Sequence, residues 1–213
     1  MEAQRIARRI KQAKRQREAE QRQRQQHAAD YARHLWRHAR RADADHPYLT
    51  AKGCHPHSLR QRGDTLLVPL IHDGVLVNLQ CIRPDGRKRF LPGGKVKGCY
   101  SSLGHIVAGE PLYICEGWAT GATLFEETGD AVACAMTASN LPIVGEHLHH
   151  RYPDAVLIIA GDDDRLTEGN PGRTAATKAA AALGFGVMFP PFPADAPLAL
   201  SDFNDLRQWR TRP

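Results

Sequence analysis

From residue 1 to about residue 26, large apolar side chains are scarce, and Arg, Gln, Glu, Lys and Ala dominate. These are good helix formers with too few large apolar positions to build a packed face, which predicts a helix without a core of its own. From His27 to Arg41 the pattern changes, and Ala28, Tyr31, Ala32, Leu35, Trp36 and Ala39 recur at three- and four-residue steps. That stripe predicts a helical segment docked on the body.

Beyond the helix-breaking His46-Pro47, two apolar runs, Thr65 to Ile71 and Val75 to Ile82, flank His72-Asp73-Gly74, which is turn chemistry. A hairpin follows from that arrangement. A second turn, Pro84-Asp85-Gly86, leads into the cation- and glycine-rich segment Arg87 to Lys97. The segment lacks the G-x-x-x-x-G-K-[ST] spacing of a nucleoside-triphosphate loop, and two readings stay open: a phosphate-facing segment or an exposed basic turn.

From Pro111 onward short apolar runs alternate with helical patterns. The runs are Leu112 to Cys115, Ala131 to Ala135, Ala155 to Ala160 and Val187 to Phe189. The helices are expected at about Ala119 to Glu127, Ile143 to Tyr152 and Thr174 to Leu183. Strand–helix alternation at this spacing predicts a parallel sheet with helices on its faces, and a ligand site beyond the carboxyl ends of the strands. The expected organisation is a basic helical arm over 1–42, a small mixed α+β lobe over 43–110 and an α/β domain over 111–213.

Charge sharpens this division. Residues 1–41 hold thirteen Lys/Arg against four Asp/Glu, a balance of +9, so the remainder of a chain of net charge +6 stands near −3. A basic arm on a nearly neutral body points to a polyanionic partner, nucleic acid first, against a solvated helix that only aids solubility. No stretch approaches the roughly 20 apolar residues of a membrane-spanning helix, and the basic N-terminus is not a secretory signal, so a cytoplasmic protein is expected. The five cysteines are dispersed without a C-x-x-C pair, which excludes a zinc ribbon and fits reduced structural thiols.

Two acidic signals fall where the strand-end rule places a ligand site. Glu116-Gly117 follows the first strand of the α/β region, and Asp162-Asp163-Asp164 follows the run Val156 to Ala160. A D-x-D pair with a third carboxylate from a neighbouring strand makes a hard-oxygen set suited to Mg²⁺. The competing reading is a solvated turn after one strand and a helix N-terminal charge after the other. Thr174 or Asn170 is placed to cap the following helix, whose free amides would face a phosphate. The His147/His150 pair is not an H-E-x-x-H motif and reads better as a solvated helix end. Trp36, Trp118 and Trp209 read as packing residues, with base stacking as the alternative.

Ile114-Cys115-Glu116-Gly117, the hydrophobic strand ending in Asp162 and Asp164, and the Ala-rich helix after Gly172 resemble the Toprim domain. That domain is shared by bacterial-type primases, topoisomerases of types IA and II, OLD-family nucleases and recombination mediators. Glu116-Gly117-Trp118-Ala119-Thr120-Gly121, Asn140-Leu141 and Asp202-Phe203-Asn204-Asp205-Leu206 look most like primases of phages and mobile plasmids. The resemblance implies a Rossmann-like parallel sheet in which Glu116, Asp162 and Asp164 are the catalytic, metal-binding acids, with Asp202 and Asp205 in support. Arg83, Lys88, Arg89, Lys95 and Lys97 would then face template or incoming nucleotide, and Arg173 would contact nucleotide. The implied cofactor is Mg²⁺, with Mn²⁺ able to substitute and no zinc, and the implied activity is primer synthesis on single-stranded DNA from nucleoside triphosphates. A Toprim nuclease and a non-catalytic nucleic-acid-binding accessory are the alternatives. The zinc-binding domain and helicase that often flank such primases are missing from this sequence, which leaves a fragment or a chain working with a separate partner. The stretch from Arg165 to Pro171 is longer than in replicative primases, which puts the local phosphate contacts in question.

Overall fold

The computed structural model describes residues 2–211. The two predicted helical segments are one continuous helix, α1 (Glu2–His38). Neither Gly nor Pro interrupts residues 1–45, so nothing in the sequence breaks it. Residues 4–24 are exposed, burial begins at Ala28 and Ala29, and Ala32 and Leu35 pack with Leu67 and Leu79 of the body. Tyr31, expected in the docking stripe, is 51% exposed. At ~100° per residue the stripe centres on Ala32 and Ala39, which carries Tyr31 about 90° off and brings Ala29 in.

Beyond α1 come β1 (Arg40–Arg41), α2 (Pro47–Lys52), β2 (Arg60–Arg62), β3 (Thr65–His72), β4 (Val75–Ile82) and β5 (Lys88–Phe90). The five strands form one antiparallel sheet in chain order. The predicted hairpin closes on Asp73 (φ 51°) and Gly74 (φ 77°), a two-residue turn with both centres left-handed. Leu66 to Leu70 of β3 are buried without alternation because both faces are covered. Leu67, Leu79 and Cys81 face α1, whereas Leu66, Val68, Leu70 and Ile82 join the core beneath Trp118.

The second sheet contains β6 (Ser101–Leu103), β7 (Pro111–Cys115), β8 (Ala131–Cys134), β9 (Val156–Ala160) and β10 (Gly186–Met188) in the order β10-β9-β7-β8-β6. The helices α3 (Trp118–Thr128), α4 (Leu141–Arg151) and α5 (Pro171–Leu183) connect its strands, and α6 (Phe203–Arg210) closes the chain. Four strands are parallel as predicted; β6, from the segment before Pro111, is an antiparallel edge on β8. Tyr100 exchanges backbone hydrogen bonds with Ile71, so β6 also ties the two sheets together. At Gly121 a Cβ would stand 2.3 Å from the Cys134 sulfur, so only glycine lets α3 lie this close to the sheet. The five cysteines are unpaired, as expected of reduced thiols.

Two polar joints weld the lobes. Asn204, fully buried, donates to Lys52 O (2.7 Å) and Thr123 Oγ1 (2.9 Å). Glu126 accepts from His55 N (2.9 Å) and Arg207 Nη1 (2.5 Å), with His57 Nε2 2.7 Å away. Burial opposes ionisation of Glu126, but these partners hold its carboxyl below the usual range. A carboxyl depressed in the folded state stabilises above its unfolded pKa and loses that contribution as pH falls. Glu126→Ala is expected to cost about 2 kcal/mol at pH 7 by stranding Arg207. Thermal melts should show the gap from the parent closing below about pH 4; an unchanged Tm at pH 7 contradicts this joint.

Candidate functional site

In the second sheet β7 is central, with β8 on one side and β9 on the other. The order of winding reverses at β7, with β8 added on one side and the parallel β9 on the other, and the carboxyl ends of β7 and β9 deliver Glu116 and Asp162 side by side. Beyond Asp162, Asp163 N donates to Ser201 O (2.7 Å), which brings the segment opening α6 against the acidic loop. Asp202 caps α6 by accepting from Asp205 N (2.7 Å). Asp205 in turn accepts from Ser201 N (3.1 Å) and lies 3.7 Å from Lys52 Nζ. Two strand-end loops and the capped start of α6 therefore bring Glu116, Asp162, Asp164, Asp202 and Asp205 to one edge of the sheet.

The electrostatics follow from this placement. Burial and repulsion from Asp202, Glu116, Asp164 and Asp205 push the Asp162 carboxyl up to about 8. Glu116 is raised by burial and by Asp164, against the pull of Lys88. Asp202 is raised by burial and Asp205, against its cap hydrogen bond and Lys52. Asp162 Oδ1 is buried without a hydrogen-bond partner. An unpaired buried carboxylate oxygen among mutually repelling acids fits a hard divalent cation, which would satisfy the oxygen and relieve the repulsion. The acids do not close into a complete cage: among the described residues no group of three or more His, Cys, Asp or Glu is arranged to hold a metal ion. Mg²⁺ ordinarily binds through one or two carboxylates and completes its shell with waters and substrate phosphates.

The start of α5 serves the acids. Asn170 is the cap, accepting from Arg173 N (3.2 Å), while the Thr174 hydroxyl donates to Gly169 O (2.8 Å). The amides expected to face a phosphate are already engaged: Gly172 N donates to Asp164 Oδ2 (2.8 Å), and Asn170 Oδ1 also accepts from Asp164 N (2.8 Å). A Cβ at residue 172 would lie 2.7 Å from Asp164 Oδ2 and 2.8 Å from Asp162 O. The longer Arg165-to-Pro171 stretch thus still returns a glycine to the acidic pair, and it does so to orient Asp164.

The basic residues expected to act together are dispersed. Lys88 alone joins the acids; loss of hydration and Lys52 lower its pKa against the attraction of Asp202, Glu116 and Asp162. Arg89, one residue on, projects from the opposite face of the sheet by the strand's two-residue period, together with Arg83. Lys95 and Lys97 line a cleft of about 530 Å³ with Gln21 and Gln25 of α1, His72 and Ile143. Asn78 and Asn140 shape this loop: Asn78 Nδ2 donates to Lys95 O (3.1 Å), and Asn140 Oδ1 accepts from Gly98 N (2.7 Å). Arg173, expected at nucleotide, is held by Asp163 (2.8 Å) and stacks over Phe189, which engages it within the protein. Trp118 is buried in the core, and Trp36 lies under the Arg60 guanidinium. His147 stacks on His72 across the lobes, whereas His150 is exposed, so the pair shares no site. Asn140 and Asn204 lie in the motifs that resemble primases and serve as scaffold, whereas Lys52 carries no local sequence signal that marks it as a site residue.

The sequence matches the Toprim domain family over residues 111–212. It is 41% identical over 157 residues to DNA primase TraC of Escherichia coli, covering 68% of this chain and 15% of that protein. A second Escherichia coli DNA primase TraC is 39% identical over 157 residues, with 68% and 11% covered. The chain therefore spans only a small part of these relatives' length. In fold it is similar to the primase fragment of the bacteriophage T7 primase-helicase protein, with a TM-score of 0.56 at 16% identity over 76% of this chain and 69% of that one. No described helix is long and apolar enough to cross a membrane. Residues 111–212 are a Toprim domain, in a chain related over two-thirds of its length to plasmid-type DNA primases.

Proposed function

We propose that this chain is the catalytic core of a primase-like nucleotidyltransferase that makes short oligonucleotides on single-stranded DNA from nucleoside triphosphates. The observation that carries the reading is the acid cluster at the sheet's switch point, faced by Lys88 from the other lobe. Asp162 and Asp164 would hold Mg²⁺ or Mn²⁺, with Glu116 holding a second ion or accepting the proton of the attacking 3′-hydroxyl. Bound there, the ion supplies Lewis-acid stabilisation of charge on the transferring phosphoryl group. Lys88 adds positive charge beside the acids, and Lys52 anchors Asp205 so that the α6 cap stays in register. Gly172 N fixes one oxygen of Asp164. A separate helicase or zinc-binding partner is part of the same proposal.

The purified chain, given single-stranded DNA, labelled nucleoside triphosphates and Mn²⁺, is expected to yield oligonucleotides only when triphosphate is present. Cleavage of the DNA without triphosphate would instead establish a nuclease. If neither occurs, even with helicase and zinc-domain partners added, the accessory role replaces the catalytic one.

The arm is proposed to add electrostatic affinity for the DNA backbone. Deleting residues 1–26 removes nine Lys/Arg and three Asp/Glu while the buried stripe from Ala28 remains. The slope of log K against log salt should fall by at least ~0.7, one single-strand phosphate contact. An identical slope before and after deletion rules the arm out as a DNA contact.

A further inference from the structure

The back of the small sheet carries a charge arrangement that the acidic site does not use. Between β4 and β5, Pro84, Asp85 and Gly86 (φ 82°) form a tight turn inside the pair Arg83 and Arg87, and it closes with Gly86 N donating to Arg83 O (2.9 Å) and Arg83 N to Arg87 O (3.0 Å). Arg83 therefore stands directly opposite Arg87, and Cys81 directly opposite Arg89. With Thr65, these four side chains line one cavity of about 270 Å³.

Like charges facing each other across strands are destabilising unless something compensates them. Here the compensation is partial. Asp85 engages Arg87 Nε (2.5 Å), which orients that guanidinium and leaves its two Nη groups without a partner among the described residues. Neither Arg83 nor Arg89 has an acidic partner among the described residues. Asp64, beside the Thr65 that lines the cavity, accepts from Thr65 Oγ1 (3.1 Å). Burial pushes the Cys81 thiol up, against forming a competing anion in the lining of the cavity.

We propose that Arg83, Arg87 and Arg89 form a second phosphate-binding site, separate from the acid cluster, that grips a backbone phosphodiester of single-stranded nucleic acid. Three forked guanidinium groups against one carboxylate leave a net +2 at the cavity, and planar forks match phosphate oxygens in pairs. The cavity is smaller than the roughly 300–1,000 Å³ of ordinary ligand pockets, and no aromatic side chain lines it to hold a base. That favours a backbone phosphate over a free nucleotide. Because Lys88 and Arg89 project from opposite faces of β5, the strand held here passes behind the sheet that presents Lys88 to the acids. The site would hold a strand clear of the reacting centre.

The test uses the whole chain with Arg83→Gln/Arg89→Gln and Arg83→Lys/Arg89→Lys, leaving Arg87 and its Asp85 partner intact. Oligo-dT is titrated across a range of salt, sodium tripolyphosphate serves as the nucleotide mimic, and Mn²⁺ affinity is the control for the acid cluster. The Gln variant is expected to lower the oligo-dT salt slope by about 1.4, two single-strand contacts. The Lys variant should also bind more weakly than the parent despite its equal charge, and Mn²⁺ affinity and the melting temperature of the free protein should not fall in either. If only the tripolyphosphate affinity drops, the phosphate held is that of a free nucleotide and the strand assignment is overturned. Parent-like oligo-dT binding by the Lys variant would reduce the site to diffuse surface charge and overturn it altogether.

Discussion

Asp162→Asn/Asp164→Asn is expected to abolish Mn²⁺ binding in calorimetry while melting at a higher temperature than the parent at pH 7. The two effects share one cause. Carboxylates gathered for an ion repel each other without it, and the Asp162 carboxyl stands near 8 in the folded chain against about 4 in an unfolded one. A carboxyl raised in the folded state contributes stability below its unfolded pKa and loses that contribution as pH rises to the folded one. At pH 7 most of the loss has occurred, and a neutral amide does not incur it. Each kcal/mol so recovered raises Tm by roughly 2–4 °C in a chain of this size, and the difference from the parent should vanish near pH 4. Parent Mn²⁺ affinity should rise as pH climbs toward 8, since the ion must displace a proton from Asp162. Unchanged Mn²⁺ affinity in the double variant would show that these acids are not ligands.

Glu116→Gln is expected to lower oligonucleotide synthesis by about 10²-fold or more while DNA affinity stays at the parent level. Gln keeps the shape of the side chain and removes the repulsion with Asp164, so the fold should persist. What is lost is a carboxylate placed to hold an ion or accept a proton, roles realised in the transition state rather than in bound DNA. Rates and affinities measured on the same preparation separate the outcomes. A parallel fall in both would make Glu116 a structural or DNA-binding residue, and an unchanged rate would remove it from the chemistry.

The strands that carry the site were legible because they are continuous apolar runs ending in acids: β7 before Glu116 and β9 before Asp162 lie where the pattern puts them. The β3–β4 hairpin was legible for a different reason, since Asp73-Gly74 satisfies two left-handed positions at once. The short strands were not. β1, β2 and β6 contain two or three residues each, are mostly polar, and exist because a longer neighbour offers them a ladder. Helix α6 was read only as an acidic motif, because its polar surface masks the cap from Asp202 and the buried Phe203, Asn204 and Leu206. The grouping of Lys88 with Arg89 was correctable from sequence: adjacent strand residues face opposite sides, and that period separates the two cations. Lys52 was beyond reach, because only the tertiary docking of α2 beside α6 brings it to Asp205.

The most direct measurement is the location of Mn²⁺ by its anomalous scattering in crystals of this chain. The account predicts a peak at oxygen-ligand distance, about 2.0–2.2 Å, from a carboxylate of Asp162 or Asp164 and on the side facing Glu116. A peak elsewhere on the molecule, with those three acids left without an ion at saturating Mn²⁺, would contradict it.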